Sequence, residues 1–127
     1  MKIVTPEYKS ENKGHYSPGI ISNGMLYISG QLSIDPDTRK VPAGGIEEHT
    51  ELALDNLNRV LKAAELTRSD VVQCRVYVLD IELWDRVNAI YTEFFGEHKP
   101  ARIVVPVSKL HFGCMVEIEA IAEVQKV

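Results

Sequence analysis

Arg102 stands inside an otherwise apolar stretch, Ala101-Arg102-Ile103-Val104-Val105, opened by Pro100. A permanent, planar cation among β-branched residues is costly to desolvate unless an anion meets it. Further along, Val116-Glu117-Ile118-Glu119-Ala120-Ile121-Ala122 sets two acids into a second apolar strand. The two segments can be read in two ways. In one, Arg102 grips a small carboxylate through parallel hydrogen bonds while a glutamate manages water and protons. In the other, Arg102 forms a structural ion pair with Glu117 or Glu119. The residues themselves leave both open.

Other chemistry-bearing patterns are missing from the chain. It has no dinucleotide fingerprint, P-loop, zincin helix or nucleophile elbow. His15, His49, His98 and His111 show no ligand spacing. His49, in the middle of a helical pattern, reads as solvated or lightly hydrogen-bonded, and His98 as part of an exposed loop. A protein without metal or cofactor is expected.

The elements that must position these residues are legible. Asn23-Gly24 between Gly19–Ser22 and Met25–Ser29 predicts a tight hairpin. Apolar residues at Ala53, Leu54, Leu57, Val60, Leu61 and Ala64 predict a helix from about Ile46 to Glu65, with acids early and bases late. A strand follows over Val71–Leu79, with Val72, Cys74, Val76 and Val78 on one face and Gln73, Arg75 and Tyr77 on the other. A second helix is expected from Ile81 to Phe95, with Trp84, Val87, Ile90 or Tyr91, and Phe94 buried and Gly96 at its end. Pro106 marks the arginine strand as an edge or interrupted strand. In the last strand Val116, Ile118, Ala120, Ala122 and Val124 share one face, and Glu117, Glu119, Ile121 and Glu123 the other. Hairpin, helix, strand, helix, strand, strand makes an α+β fold with two helices packed on one sheet face. Apolar residues on the opposite face, Tyr77 and Ile121 among them, want a partner surface.

At 127 residues the chain is a single domain, 1–127, without repeat or linker. A net charge of −4 and 7% aromatic residues argue against nucleic acid as the main partner. No apolar run is long enough to span a membrane, and the N-terminus lacks the apolar run of a signal peptide. Cys74 and Cys114 are far apart and read as free thiols in a reduced, cytoplasmic setting.

The wording of the segments narrows the choice. Pro100-Ala101-Arg102 followed by Val116-Glu117-Ile118-Glu119-Ala120 closely resembles the Rid family of YjgF-type enamine/imine deaminases. So do Gly14-His15-Tyr16-Ser17, Ile28-Ser29-Gly30-Gln31-Leu32 with Asp35-Pro36, Leu54-Asp55-Asn56-Leu57, Asp70-Val71-Val72, Val87-Asn88-Ala89-Ile90-Tyr91 and Phe94-Phe95. These matches run in order along nearly the whole chain. The resemblance implies a chorismate-mutase-like mixed sheet and a homotrimer with clefts between subunits. It implies hydrolysis of 2-enamine/2-imine acids, such as 2-iminopropanoate and 2-iminobutanoate, to 2-keto acids and ammonia.

Within that resemblance Arg102 holds the substrate carboxylate, and Glu117 is the acid/base residue that orients water. Glu119 and Glu123 are then ordinary exposed acids. Tyr16 hydrogen-bonds the reacting nitrogen or the water, Ser29 donates to substrate from a strand end, and Asn88 lies at the cleft. Backbone amides near Gly30 and Val104 complete the site. Departures from the family pattern are His15 for proline, Pro18 for glutamine, Val104 for cysteine, and Leu110-His111-Phe112 for Leu-Pro-Lys. The last of these puts substrate preference in question. Three rivals use the same residues differently: a keto-acid-binding regulator without turnover, a ribonuclease or translation inhibitor, and a chaperone-like protein.

Overall fold

The computed structural model describes residues 1–11 and 14–124. The Asn23-Gly24 turn has positive φ at both residues (50° and 76°), as a two-residue hairpin turn needs. It joins β2 (Gly19–Ser22) to β3 (Met25–Leu32). A short strand that the residue pattern did not disclose, β1 (Lys2–Val4), pairs with the outer side of β2. Helix α1 (Ile46–Ala63) carries Glu47 and Glu48 in its first turn and Lys62 in its last, complementing its dipole. β4 (Val71–Val78) leads through a 3-10 turn at Ile81–Leu83 into α2 (Trp84–Phe95). β5 (Ala101–Pro106) and β6 (Val116–Glu123) complete the set.

The six strands lie in the order β1-β2-β3-β6-β4-β5. Among the described residues only β4 and β5 are parallel, and α2 supplies the crossover that a parallel pair requires. β5 is an edge strand, as Pro106 foretold. Both helices cover one face of this mixed sheet. Leu54, Leu57, Val60 and Leu61 of α1 and Val87, Tyr91 and Phe95 of α2 bury themselves against Leu26, Ile28, Val76, Val78, Val116 and Ile118. The expected α+β sheet with two helices on one face is the fold observed.

Two bulges depart from strict alternation. Val71 pairs with Ala122 and Gln73 with Ile121, so Val72 is an extra residue. Val71 therefore turns inward and Val72 outward, the reverse of what alternation through Val72 predicts. On β3, Ile28 pairs with Ala120 and Gln31 with Ile118, so Ser29 and Gly30 together oppose one residue of β6. The inward phase shifts there from Leu26 and Ile28 to Gln31 and Ser33. Ser29 and Gly30 thus sit at a bulge inside β3, not at its end. In α2 the buried stripe is Val87, Tyr91 and Phe95, while Trp84 is part-exposed.

Of the two readings of His49, solvated or lightly hydrogen-bonded, the first is excluded, since it is only 3% exposed. Its Nδ1 meets Ser33 Oγ at 2.6 Å and the Met115 backbone N–H at 3.3 Å. Because Met115 donates to Nδ1, that nitrogen is the acceptor and the ring is neutral. Burial holds its pKa below the ordinary histidine value, with a Pro42 backbone hydrogen bond and the nearby Glu48 carboxylate working the other way. Asn56, two turns further along the same face of α1, donates to the carbonyls of Leu32 and Ile34. Together His49 and Asn56 tie α1 to the end of β3, and His49 ties it to the residue preceding β6.

Candidate functional site

A cavity of about 650 Å3 lies at the β3 bulge, beside β6. Tyr16, Ser29, Gly30 and Glu117 all line it. Gly30 faces Glu117 across the β3–β6 seam. A Cβ at residue 30 would lie 2.6 Å from Glu117 Oε2, so only glycine leaves the carboxylate its place. Glu117 is half-buried, and among the described residues nothing hydrogen-bonds or ion-pairs with it. Burial pushes its pKa above the ordinary glutamate value, Glu119 adds to the rise, and His111 opposes it. A raised carboxyl in a cavity is suited to proton transfer.

Ser29 donates its hydroxyl hydrogen to the Ser17 carbonyl at 2.6 Å. With its hydrogen directed there, the Ser29 oxygen has lone pairs left to accept from a ligand or water. Tyr16 is 55% exposed on the cavity rim and does not serve as a packing residue. Glu119 is not a simple exposed acid either: Arg75 Nη1 lies 3.0 Å from it and the Tyr77 hydroxyl 3.2 Å. Glu123 is exposed as expected.

Arg102 is elsewhere. It pairs in register with the buried Cys74, which turns its side chain to the helix-covered face of the sheet. There Nη1 donates to Asn88 Oδ1 at 2.8 Å, and the guanidinium lies 4.7 Å from the Tyr91 ring centroid and 5.2 Å from that of Trp84. Glu117 alternates with Val116 and Ile118, both buried under the helices, and so projects from the opposite face. Neither proposed ion pair, Arg102 with Glu117 or with Glu119, forms within the chain. Among the described residues Arg102 has an amide and two π-faces for company and no carboxylate in ion-pair reach. Asn88 holds Arg102 directly. Val104 faces inward on the same edge strand, packed against the core, where alternate backbone groups have no sheet partner.

The expected site residues therefore fall into two sets: Tyr16, Ser29, Gly30 and Glu117 around one cavity, and Arg102 with Asn88 on the far face. Residue patterns missed Tyr8 and Arg39, which line the cavity from loops and turns where no periodicity points inward. The departure at Leu110-His111-Phe112 did mark the stacked rings of His111 and Phe112, which line it too. Among the described residues no cluster of potential metal ligands occurs, and no helix is long and apolar enough to cross a membrane.

Comparison with known proteins gives consistent matches over the whole fold. The sequence profile of the family described as endoribonuclease L-PSP matches residues 8–124. A RutC family protein of Pyrococcus horikoshii is 38% identical over 95% of this chain and 96% of its own length. The human 2-iminobutanoate/2-iminopropanoate deaminase is 38% identical over 86% of this chain and 80% of its own. The crystal structure of E. coli TdcF with bound serine superposes with a TM-score of 0.90 at 30% identity, covering 97% of this chain and 98% of the other.

Proposed function

We propose that this chain, which belongs to the endoribonuclease L-PSP family, hydrolyses reactive 2-imino acids to 2-keto acids and ammonia. The observation that carries the reading is the pair of unmatched charges. Among the described residues Arg102 is a part-buried cation without an anion, and Glu117 a part-buried acid without a donor, on opposite faces of one sheet. A site that uses both must join the Arg102 face of one copy to the Glu117 cavity of another. Homotrimer formation with clefts between subunits satisfies that requirement. The imine deaminase name of the human relative and the serine bound by TdcF support a small amino-acid-derived carboxylate as ligand.

The chemistry follows from what each side chain can do. The Arg102 fork, aimed by Asn88 and backed by two rings, fixes position and plane of the carboxylate. Glu117 accepts a proton from water attacking the C=N carbon and passes it to the nitrogen, giving the carbinolamine. It then takes the hydroxyl proton and delivers it to the amine as the carbon–nitrogen bond breaks, so that ammonia leaves and the 2-keto acid remains. Tyr16 donates to the reacting nitrogen or the water, Ser29 accepts, and backbone amides near Gly30 and Val104 complete the anion site. The imine hydrolyses unaided, so positioning and electrostatics suffice, and no covalent nucleophile or metal is called on.

The test is direct. 2-Iminopropanoate and 2-iminobutanoate are generated in situ and keto-acid formation is followed with and without the protein; no acceleration would end the reading. The family description suggests ribonuclease activity as a second reading. Net charge −4 and a cavity carrying Glu117 and Glu119 disfavour a polyphosphate ligand. Incubation with single-stranded RNA is expected to leave it intact.

A further inference from the structure

We infer that the stacked pair His111–Phe112 makes this chain selective for imino acids with large apolar or aryl side chains over those with methyl or ethyl groups. The inference rests on the deaminase reading for its reaction, and on the cavity alone for its ligand class. The two rings lie parallel, 3.8 Å between centroids at 15°, in the turn before β6. Phe112 is 58% exposed on the cavity wall, an unusual position for so large an apolar ring. Its backbone is left-handed (φ 60°, ψ 19°), a conformation a bulky residue rarely adopts unless its surroundings hold it there. A strained, solvent-facing ring presented to a cavity is a surface waiting for a flat apolar group.

Part of the cavity wall is of the same kind: Tyr16, Pro18 and Leu32 give it apolar surface besides Phe112, while Arg39, Asn56 and Glu119 give it polar groups. The cavity, about 650 Å3 in the single copy and open to solvent, leaves room beside a three- or four-carbon acid. Glu117 lines the same cavity and feels the charge of His111, the ring stacked on Phe112, so the stacked pair and the acid/base residue share one site. Position 112 thus reads the substituent while Glu117 acts on the common imino-acid core.

The test uses imines made in situ by an L-amino-acid oxidase from 2-aminobutyrate, leucine and phenylalanine, together with calorimetric titration of the matching keto acids. The leucine- and phenylalanine-derived imines are expected to show kcat/KM at least about 10-fold above 2-iminobutanoate, the discrimination one or more methylenes earn in an apolar pocket. Their keto acids should bind more tightly in the same order. Phe112→Gly suits the left-handed backbone and so keeps the fold while deleting the ring; it should erase both preferences. Phe112→Tyr should retain them. Turnover without side-chain preference, or a preference unmoved in Phe112→Gly, overturns the inference and leaves the deaminase reading standing. Keto-acid preference that vanishes in Phe112→Gly, without turnover of any imine, upholds the ligand class and removes the deaminase reading. A glycine variant whose sedimentation changes while its preference stays would assign the ring to contact between copies, and the inference would fall.

Discussion

Arg102 and Glu117 are each left incomplete by their own chain, and their variants should fail for different reasons. Arg102→Ala removes a charge-assisted carboxylate contact worth about 2–5 kcal/mol, enough to abolish accelerated imine hydrolysis. Arg102→Lys should fail as well, because a point charge holds neither the carboxylate plane nor the faces of Tyr91 and Trp84. Near-normal rates in either variant would remove the clamp. Glu117→Gln keeps the shape but not the basicity, and turnover should drop ~10²–10⁴-fold, whereas keto-acid binding persists. The same substitution should stabilise the fold. The Glu117 pKa is raised in the native state by burial, so the native protein holds this proton more tightly than the unfolded chain does. Ionisation then costs native stability once the pH climbs past the ordinary glutamate value, and below that value the cost disappears. The Tm advantage of Glu117→Gln should therefore be present at neutral pH and vanish in acid; an equal gain at every pH would refute the burial account.

At the scale of elements, the cavity depends on how α1 is tied to the sheet. His49 accepts from Ser33 just after β3 and from Met115 just before β6, the two strands that present Gly30 and Glu117. His49→Ala deletes a buried ring and strands two donors, which should cost about 2–4 kcal/mol in urea unfolding. The pH dependence has the opposite sign to that of Glu117. Burial depresses the His49 pKa, so its contribution is complete above the ordinary histidine value and is lost as the pH falls below it. Wild-type stability should decline over that acid range. A His49→Gln variant, which does not titrate, should decline less, and parallel pH profiles would show that the ring does not control the effect.

For the whole molecule, the decisive question is whether a site draws on two copies. The sheet face away from the helices leaves Tyr27 and Ile103 each 48% exposed, with Tyr77 and Ile121 between them part-covered, a surface that asks for a neighbour. Sedimentation should find a trimer, and a stable, active monomer would contradict the shared site. Mixing gives a sharper test. Arg102→Ala and Glu117→Gln chains, each inactive alone, are unfolded together in equal amounts and refolded. If each site takes Arg102 from one copy and Glu117 from the next, as a head-to-tail ring of copies allows, about one quarter of the wild-type activity returns. Sites built within single chains would stay dead in the mixture.

Local order was determined by the sequence alone, and the candidate reactive residues could be picked out from it. The Asn23-Gly24 hairpin, the dipole-matched α1, the edge character of β5 and the alternation of β6 are short-range consequences of turn chemistry, charge placement and periodicity, and each appears in the structure. Arg102 and Glu117 could be singled out because a charge among apolar residues is conspicuous wherever it stands. Tertiary structure alone decided where those charges point. The β3 bulge that places Ser29 and Gly30 against Glu117, the bulge that exchanges Val71 for Val72, and the strand β1 depend on pairing with distant segments, which leaves no mark on local periodicity. The burial of His49 followed from Ser33 and Met115 arriving from two other strands' ends. Above all, period-two alternation assigns a residue to one of two faces without saying which face of a neighbouring strand it matches. Only the β4–β5 register, with Arg102 beside Cys74 under α2, put the cation and the acid on opposite sides of the sheet.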